Sequence, residues 1–241
     1  MSNIHRVIMA FYLPLTIFFV AADNLVPGDN LVRVVKLITV FTIFIAACSL
    51  KKTFSEQKLI TFAALFAVLG DFSLGFGATI PSIKSLDAPL GMLCFMISYI
   101  ILITALHKNF SLSRKNLLAA VPIALIYIPV FLNLARYVTG PMFVAASIFG
   151  LVLCYMCWTA LCCLFRGYFA RKAAWLFALS GCLIFISDMV VAIALFNPLF
   201  KGHFVPLLQN IIWITFVPAW ALILAAVAEE NLKVQSSTLG S

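Results

Sequence analysis

The chain has 241 residues, 64% of them hydrophobic and only 10% charged, with a formal net charge of +8 and a mean hydropathy of +1.14. Soluble domains carry about a quarter of their residues as charge, so a water-soluble globular fold is excluded and a polytopic membrane protein is indicated. The positive excess lies in short connections, which makes it a topology signal and no sign of a nucleic-acid partner.

An α-helix rises 1.5 Å per residue, so about 20 apolar residues cross a hydrocarbon core of roughly 30 Å. In chain order the candidate spans are residues 7–22, 31–50, 58–78, 89–106, 117–135, 141–165, 173–196 and 205–228. The expected fold is all-α: an integral membrane bundle of eight transmembrane helices, a single domain over 1–232, then a disordered polar tail over 233–241. The first span follows Arg6 and ends "FVAAD", the outline of a leader peptide. We read it as an uncleaved helix, because an even number of spans keeps both termini on one side.

The connections fix which side. Arg6, Lys51, Lys52, Lys58, Lys108, Arg114, Lys115, Arg166, Arg171, Lys172 and Lys233 fall at one end of the spans, and Arg33, Lys84, Arg136 and Lys201 at the other. The more basic end is expected to be cytoplasmic, with both termini there. Its basic loops would meet anionic lipid.

Within the spans, ionisable residues are rare. A carboxylate at a bilayer centre costs about 2.5–3.5 kcal/mol on insertion scales, so it usually faces a protein interior or a cavity and serves a function. The second span, "LVRVVKLITV", holds Lys36; the third, "AVLGDFSLGFG", holds Asp71; the seventh, "LIFISDMVVAI", holds Asp188. Asp71 lies about 18 Å and Asp188 about 21 Å along their helices from the cytoplasmic end. Lys36 lies about 8 Å below the opposite end of its own, so all three share one level. Pairing alone would leave one acid over, which points to a functional chamber more than to a structural ion pair.

The neighbours suggest its walls. Gly181, Phe185, Asp188 and Ala192 recur on one face of the seventh span, and Ala64, Ala67, Asp71 and Gly75 on one face of the third. Trp213, Phe216 and Trp220 form an aromatic stripe on the eighth, and Phe72 and Phe196 lie near the acids. Both aspartates precede a proline, Pro81 or Pro198, by ten residues.

Seven cysteines, among them Cys154, Cys157, Cys162 and Cys163, lie in spans or beside them, while His5, His107 and His203 sit in or near loops. They read as packing residues and loop residues, so neither metal nor cofactor is expected. His203, in the last outer loop, is placed to reach the chamber from above, but it reads as a solvated loop residue.

The same residues resemble the YhhN family of small polytopic membrane proteins, which includes lysoplasmalogenases. The resemblance rests on Gly70 and Asp71 in the third span, Gly91 and Phe95 in the fourth, and Gly181, Phe185, Ser187, Asp188, Ala192 and Phe196 in the seventh. Lys36 and the closing "WITFVPAW" extend it over nearly the whole chain. Leu37 stands where the family usually has proline, Tyr99 where it has histidine, and Phe216 and Trp220 where it has tyrosine and glutamine.

The resemblance implies hydrolysis of the vinyl ether bond of a lysoplasmalogen, with Asp71 and Asp188 as acid and base. Asp188, among apolar neighbours, is favoured as the acid. Lys36 would contact the substrate phosphate, and Ser187, Tyr99, Phe185, Trp213 and Phe216 the rest of a lysophospholipid drawn from the bilayer, the alkyl chain lying among Phe72, Phe185 and Phe196. A multi-pass protein of a bacterial inner membrane is expected, with membrane lipids as its other partners. Two other readings use the same charges: a proton-coupled transporter of a small or lipidic solute, for which Pro122, Pro129 and Pro218 would break helices, and a noncatalytic lipid-binding relative.

Overall fold

A computed structural model describes residues 3–26, 28–77, 80, 82, 86–200 and 204–234. Among these residues nine α-helices follow one another: α1 (Asn3–Leu25), α2 (Asn30–Ser49), α3 (Ser55–Phe76), α4 (Asp87–Leu106), α5 (Arg114–Leu118), α6 (Ala120–Leu134), α7 (Gly140–Arg166), α8 (Arg171–Phe196) and α9 (Val205–Val227). Eight segments are long and apolar enough to cross a membrane, with α5 and α6 together making the fifth. No strand occurs among the described residues, only an isolated bridge between Phe169 and Lys233.

Local chemistry sets the ends. Asp29 caps α2 by accepting from the amides of Leu31 and Val32 at 2.6 and 3.2 Å, which satisfies donors that the first turn would leave orphaned. The turn before it uses Gly28 at φ +78°, a conformation open to glycine without strain. Gln57 accepts from the amides of Thr53 and Phe54 with Oε1 and donates with Nε2 to the carbonyls of Val227 and Glu229, both at 2.9 Å. One amide thus starts α3 and ties it to the end of α9.

α9 is the pillar: 67% of its apolar window is buried, against 11% for the α5–α6 span. It packs on α8, α1, α2 and α3, while α3 packs on α4 and α7 on both α4 and α8. Glycines let two of these contacts close. A Cβ at Gly70 would come within 2.7 Å of the Phe95 ring, and one at Gly181 within 2.5 Å of Ala160 Cβ. Small residues at such crossings let helices approach where lipid supplies no hydrophobic drive between them. Gly75, placed on the same face as Asp71, has open space there instead.

The start of α1 and the end of α9 meet at one end of the bundle. His5 Nε2 lies 3.0 Å from the Ala225 carbonyl and 2.8 Å from Glu229 Oε1, and Lys172 also pairs with Glu229. Beside them, Glu56 accepts from Tyr168 Oη at 2.6 Å and pairs with Lys233 at 3.1 Å. The Val234 amide donates to the Tyr168 carbonyl and the Ala170 amide to the Leu232 carbonyl. Lys233 and Val234 are therefore part of the fold, in place of opening a free tail; residues 235–241, and with them the rest of the expected tail, lie outside the described residues. So do Pro81, Lys84, Lys201 and His203.

Candidate active site

The two intramembrane aspartates face one cavity of about 110 Å³. Asp71 and Leu74 of α3, Phe95 of α4, Ser187, Asp188 and Ala192 of α8, and Trp213 and Phe216 of α9 form its inner wall. Tyr127, Val130, Phe131 and Leu134 of α6 and Phe143, Ser147 and Gly150 of α7 close the other side. Apart from the acids, the wall is apolar with a few hydroxyls. No cationic side chain lines it among the described residues.

Helix geometry delivers the acids. Asp188 and Ala192, four apart, share a face of α8, and Asp71 follows Gly70, whose missing side chain lets α4 pack close enough to bring Phe95 to the same wall. Asp188 is 7% exposed and accepts from Tyr99 Oη, itself fully buried, at 2.6 Å through Oδ2. Its Oδ1 is the oxygen left for other partners. Ser187 Oγ donates to the Ile212 carbonyl at 3.4 Å, joining α8 to α9 behind the acid. Asp71 has no hydrogen-bond partner among the described residues and lies within electrostatic reach of Lys36.

Of the residues expected to form the site, Asp71, Asp188, Ser187, Trp213 and Phe216 line the cavity. Three lie elsewhere. Phe185 is 2% exposed and belongs to the hydrophobic core, because the α8 face it shares with Gly181 is turned toward the helix packing. Tyr99 stands behind Asp188 without lining the chamber. Lys36 is also outside the wall: its ammonium sits 2.5 Å from Asp23 Oδ2 and 4.5 Å from the centre of the Trp213 ring. Among the residues expected to hold the alkyl chain, Phe196 lines the cavity, while Phe72 points outward, 39% exposed.

Asp23 is thus the residue the sequence reading missed. With α1 taken to end at residue 22, it fell in a connection; α1 continues to Leu25 and carries it into the bundle. The signal was available, since Asp23 and Lys36 flank a tight turn and must come level in a helical hairpin. Lys36 is neutralised by this partner, so it steadies Trp213 from behind and is not a free cation for substrate.

The aromatic stripe of α9 is a continuous edge-to-face series: Phe19 with Trp213, Trp213 with Phe216, Phe216 with Trp220, and Phe95 against Phe216, at centroid distances of 5.8–6.4 Å. Trp213 and Phe216 reach the chamber, while Trp220, 1% exposed and with its Nε1 unpartnered, stays in the core.

Comparison with family models matches the YhhN family over residues 31–227. That range holds the whole cavity wall and Lys36, but not Asp23. Neither the curated proteins nor the solved structures yield a match.

Proposed function

The chain belongs to the YhhN family, and from that premise we propose that it is a lysoplasmalogenase, hydrolysing the vinyl ether bond of single-chain plasmalogen lipids inside the membrane. The observation that carries the reading is that Asp71 and Asp188 open on one apolar chamber. Vinyl ether cleavage needs an acid and a base and no covalent nucleophile, as in glycoside hydrolysis through a similar cation.

In this reading Asp188, held by Tyr99 through Oδ2, carries its proton on Oδ1 and delivers it to the outer vinyl carbon. The double bond shifts to leave an oxocarbenium ion. Asp71, ionised and near Lys36, stabilises that ion and takes a proton from the water that adds to the carbon bearing oxygen. The resulting hemiacetal collapses to a fatty aldehyde as its hydroxyl proton passes to Asp188 and the proton on Asp71 passes to the ether oxygen, which leaves as the alcohol of the glycerophosphate headgroup and returns both acids to their starting states. A low-dielectric site is what lets two carboxylates divide these roles.

The wall offers no cation for the headgroup, so the phosphate stays at the rim. Arg136, exposed and placed between the lining residues Ala135 and Val138, is the described cation nearest in sequence to that rim. α6 covers the chamber lightly, with only Ile123 and Leu134 buried, which suits sideways entry of a single-chain amphiphile from lipid. By the distribution of Lys and Arg, the end bearing the termini faces the cytoplasm of a bacterial cell, across its inner membrane.

The test is a panel of lysoplasmalogens and ordinary lysophospholipids given to purified protein. Free aldehyde from the former, and no fatty acid from the latter, is the expected result. Solute uptake into liposomes without any aldehyde would favour the transporter instead. That reading draws little from the helices, since α9 runs unbroken through Pro218 and α6 through Pro129.

A further inference from the structure

At the terminal end of α7 a charged group is buried with no acid bonded to it among the described residues. Arg166 is 8% exposed, and its Nε, Nη1 and Nη2 all lack a hydrogen-bond partner. Its guanidinium lies 5.1 Å from the centre of the Trp158 ring and 5.5 Å from that of Phe110. Aromatic rings at that range attract the faces of a cation. They leave its five edge donors unspent, and those match the oxygens of a carboxylate or phosphate. The Cys162 thiol beside it is a weak acceptor.

The surroundings are built to hold that arrangement. Trp158 is fixed by its Nε1 donating to the Asn116 carbonyl at 2.7 Å. Phe110 belongs to the α4–α5 connection, which is exposed, and is itself 51% exposed; the adjoining Asn109 takes φ +47°. His107 packs 4.9 Å from Phe110 and lies 3.1 Å from Tyr155 Oη. Burial, then the positive charges of Arg166 and Lys108, hold the His107 imidazole below its ordinary value. Lys108 reaches Glu56 only at 4.0 Å, and no acid is bonded to Arg166. This corner therefore carries uncompensated positive charge.

We propose that Arg166 is the seat of a phosphate group, taken up when Phe110 swings off the guanidinium, with the headgroup of an anionic phospholipid or free phosphate as its source. The seat is remote from the acid chamber: Gly150 lines the chamber, and Arg166 lies about 24 Å further along the same helix. It does not depend on the hydrolase reading. Its position at a helix end, level with the bundle's basic connections, places it where phospholipid headgroups lie.

The experiment uses the full chain purified in a neutral maltoside detergent, with three arms: short-chain phosphatidylglycerol, inorganic phosphate at the same concentration, and detergent alone. Thermal stability and the His107 titration by NMR are followed in each. Wild type is expected to gain stability through binding to the folded state, with His107 titrating at higher pH as the anion offsets Arg166. Gain only with the lipid identifies a headgroup seat, and equal gain with phosphate a free-anion seat. Arg166→Gln should bind at least tenfold more weakly, while Phe110→Ala, which keeps the guanidinium and removes its cover, should bind more tightly than wild type. No stabilisation of wild type by either probe would overturn the proposal, an internal water between Arg166 and the unpartnered Asn116 Oδ1 then satisfying both. Equal gains in wild type and Arg166→Gln would overturn it as well, and Phe110→Ala supplies the comparison if that variant does not fold.

Discussion

Beside Asp23 in its ion pair with Lys36, two pairs of acids sit in this bundle, and their surroundings are opposite. At the end bearing the termini, Glu56 meets Tyr168, Lys233 and Lys108, and Glu229 meets His5 and Lys172. Deeper in the bundle, Asp71 and Asp188 share a wall of apolar side chains, with Tyr99 behind Asp188 and no cation on the wall among the described residues. The first pair is satisfied and joins helices. The second keeps capacity for a proton and a substrate, which is the condition under which intramembrane carboxylates do chemistry.

Substitution can break that contrast at four points. The largest effect is expected from Asp188→Asn or Asp71→Asn, each of which should lower aldehyde release by about 10²–10⁴-fold, the range for a general acid or base. Melting temperature should hardly move in either variant, because both side chains face a cavity. A large fall in melting temperature with activity retained would put these acids in the structural class.

Next comes the ion pair of Asp23 with Lys36, the lysine expected from sequence at the substrate phosphate. Asp23→Asn or Lys36→Met alone leaves a buried charge unpaired and should cost about 3–5 kcal/mol, read from thermal unfolding in detergent. The double variant should recover most of that loss. If Lys36→Met removed substrate binding at unchanged stability, Lys36 would instead belong to the chamber.

A smaller effect is expected at the boundary of the site. Tyr99→Phe removes the hydrogen bond to the protonated Asp188 and should slow turnover by up to about tenfold, since a hydrogen bond between neutral groups contributes about 0.5–1.5 kcal/mol. The shape of its pH–rate profile separates positioning from packing: a moved limb implicates the proton on Asp188, and an unmoved one leaves only packing. Smallest of all, Glu56→Gln keeps the Tyr168 contact but weakens the attraction to Lys233, and should cost about 1 kcal/mol with turnover unchanged.

Much of this plan was legible in the sequence because the bilayer simplifies the code. Every span must satisfy its own backbone, so apolar length alone marked eight crossings, and the rarity of intramembrane charge marked Asp71, Asp188 and Lys36. Helix ends were less legible. The fifth crossing begins as α5, capped by Ser113, and resumes as α6 after Ala119, a break that falls where Pro122 has no amide hydrogen to give the Leu118 carbonyl.

Side-chain direction was the least legible level. Phe185 and Asp188 are three apart and belong to one broad face, yet the core takes the phenylalanine and the chamber the acid. The difference is set by the angle at which α7 and α9 meet α8, and no periodicity within α8 encodes that. Lys36 was misplaced for a related reason: its partner lay one residue beyond the predicted end of a helix, and a lysine without a visible acid looks free.

The Asp23–Lys36 contact also bears on how the chain enters the bilayer. Delivered singly, α1 would bring an uncompensated anion into lipid and α2 an uncompensated cation, each at about 2.5–3.5 kcal/mol. Delivered as a hairpin about the Gly28 turn, the two neutralise each other before either meets hydrocarbon. Biogenesis thus favours release of the first two segments from the insertion machinery together, with the opposite charges acting as the clasp.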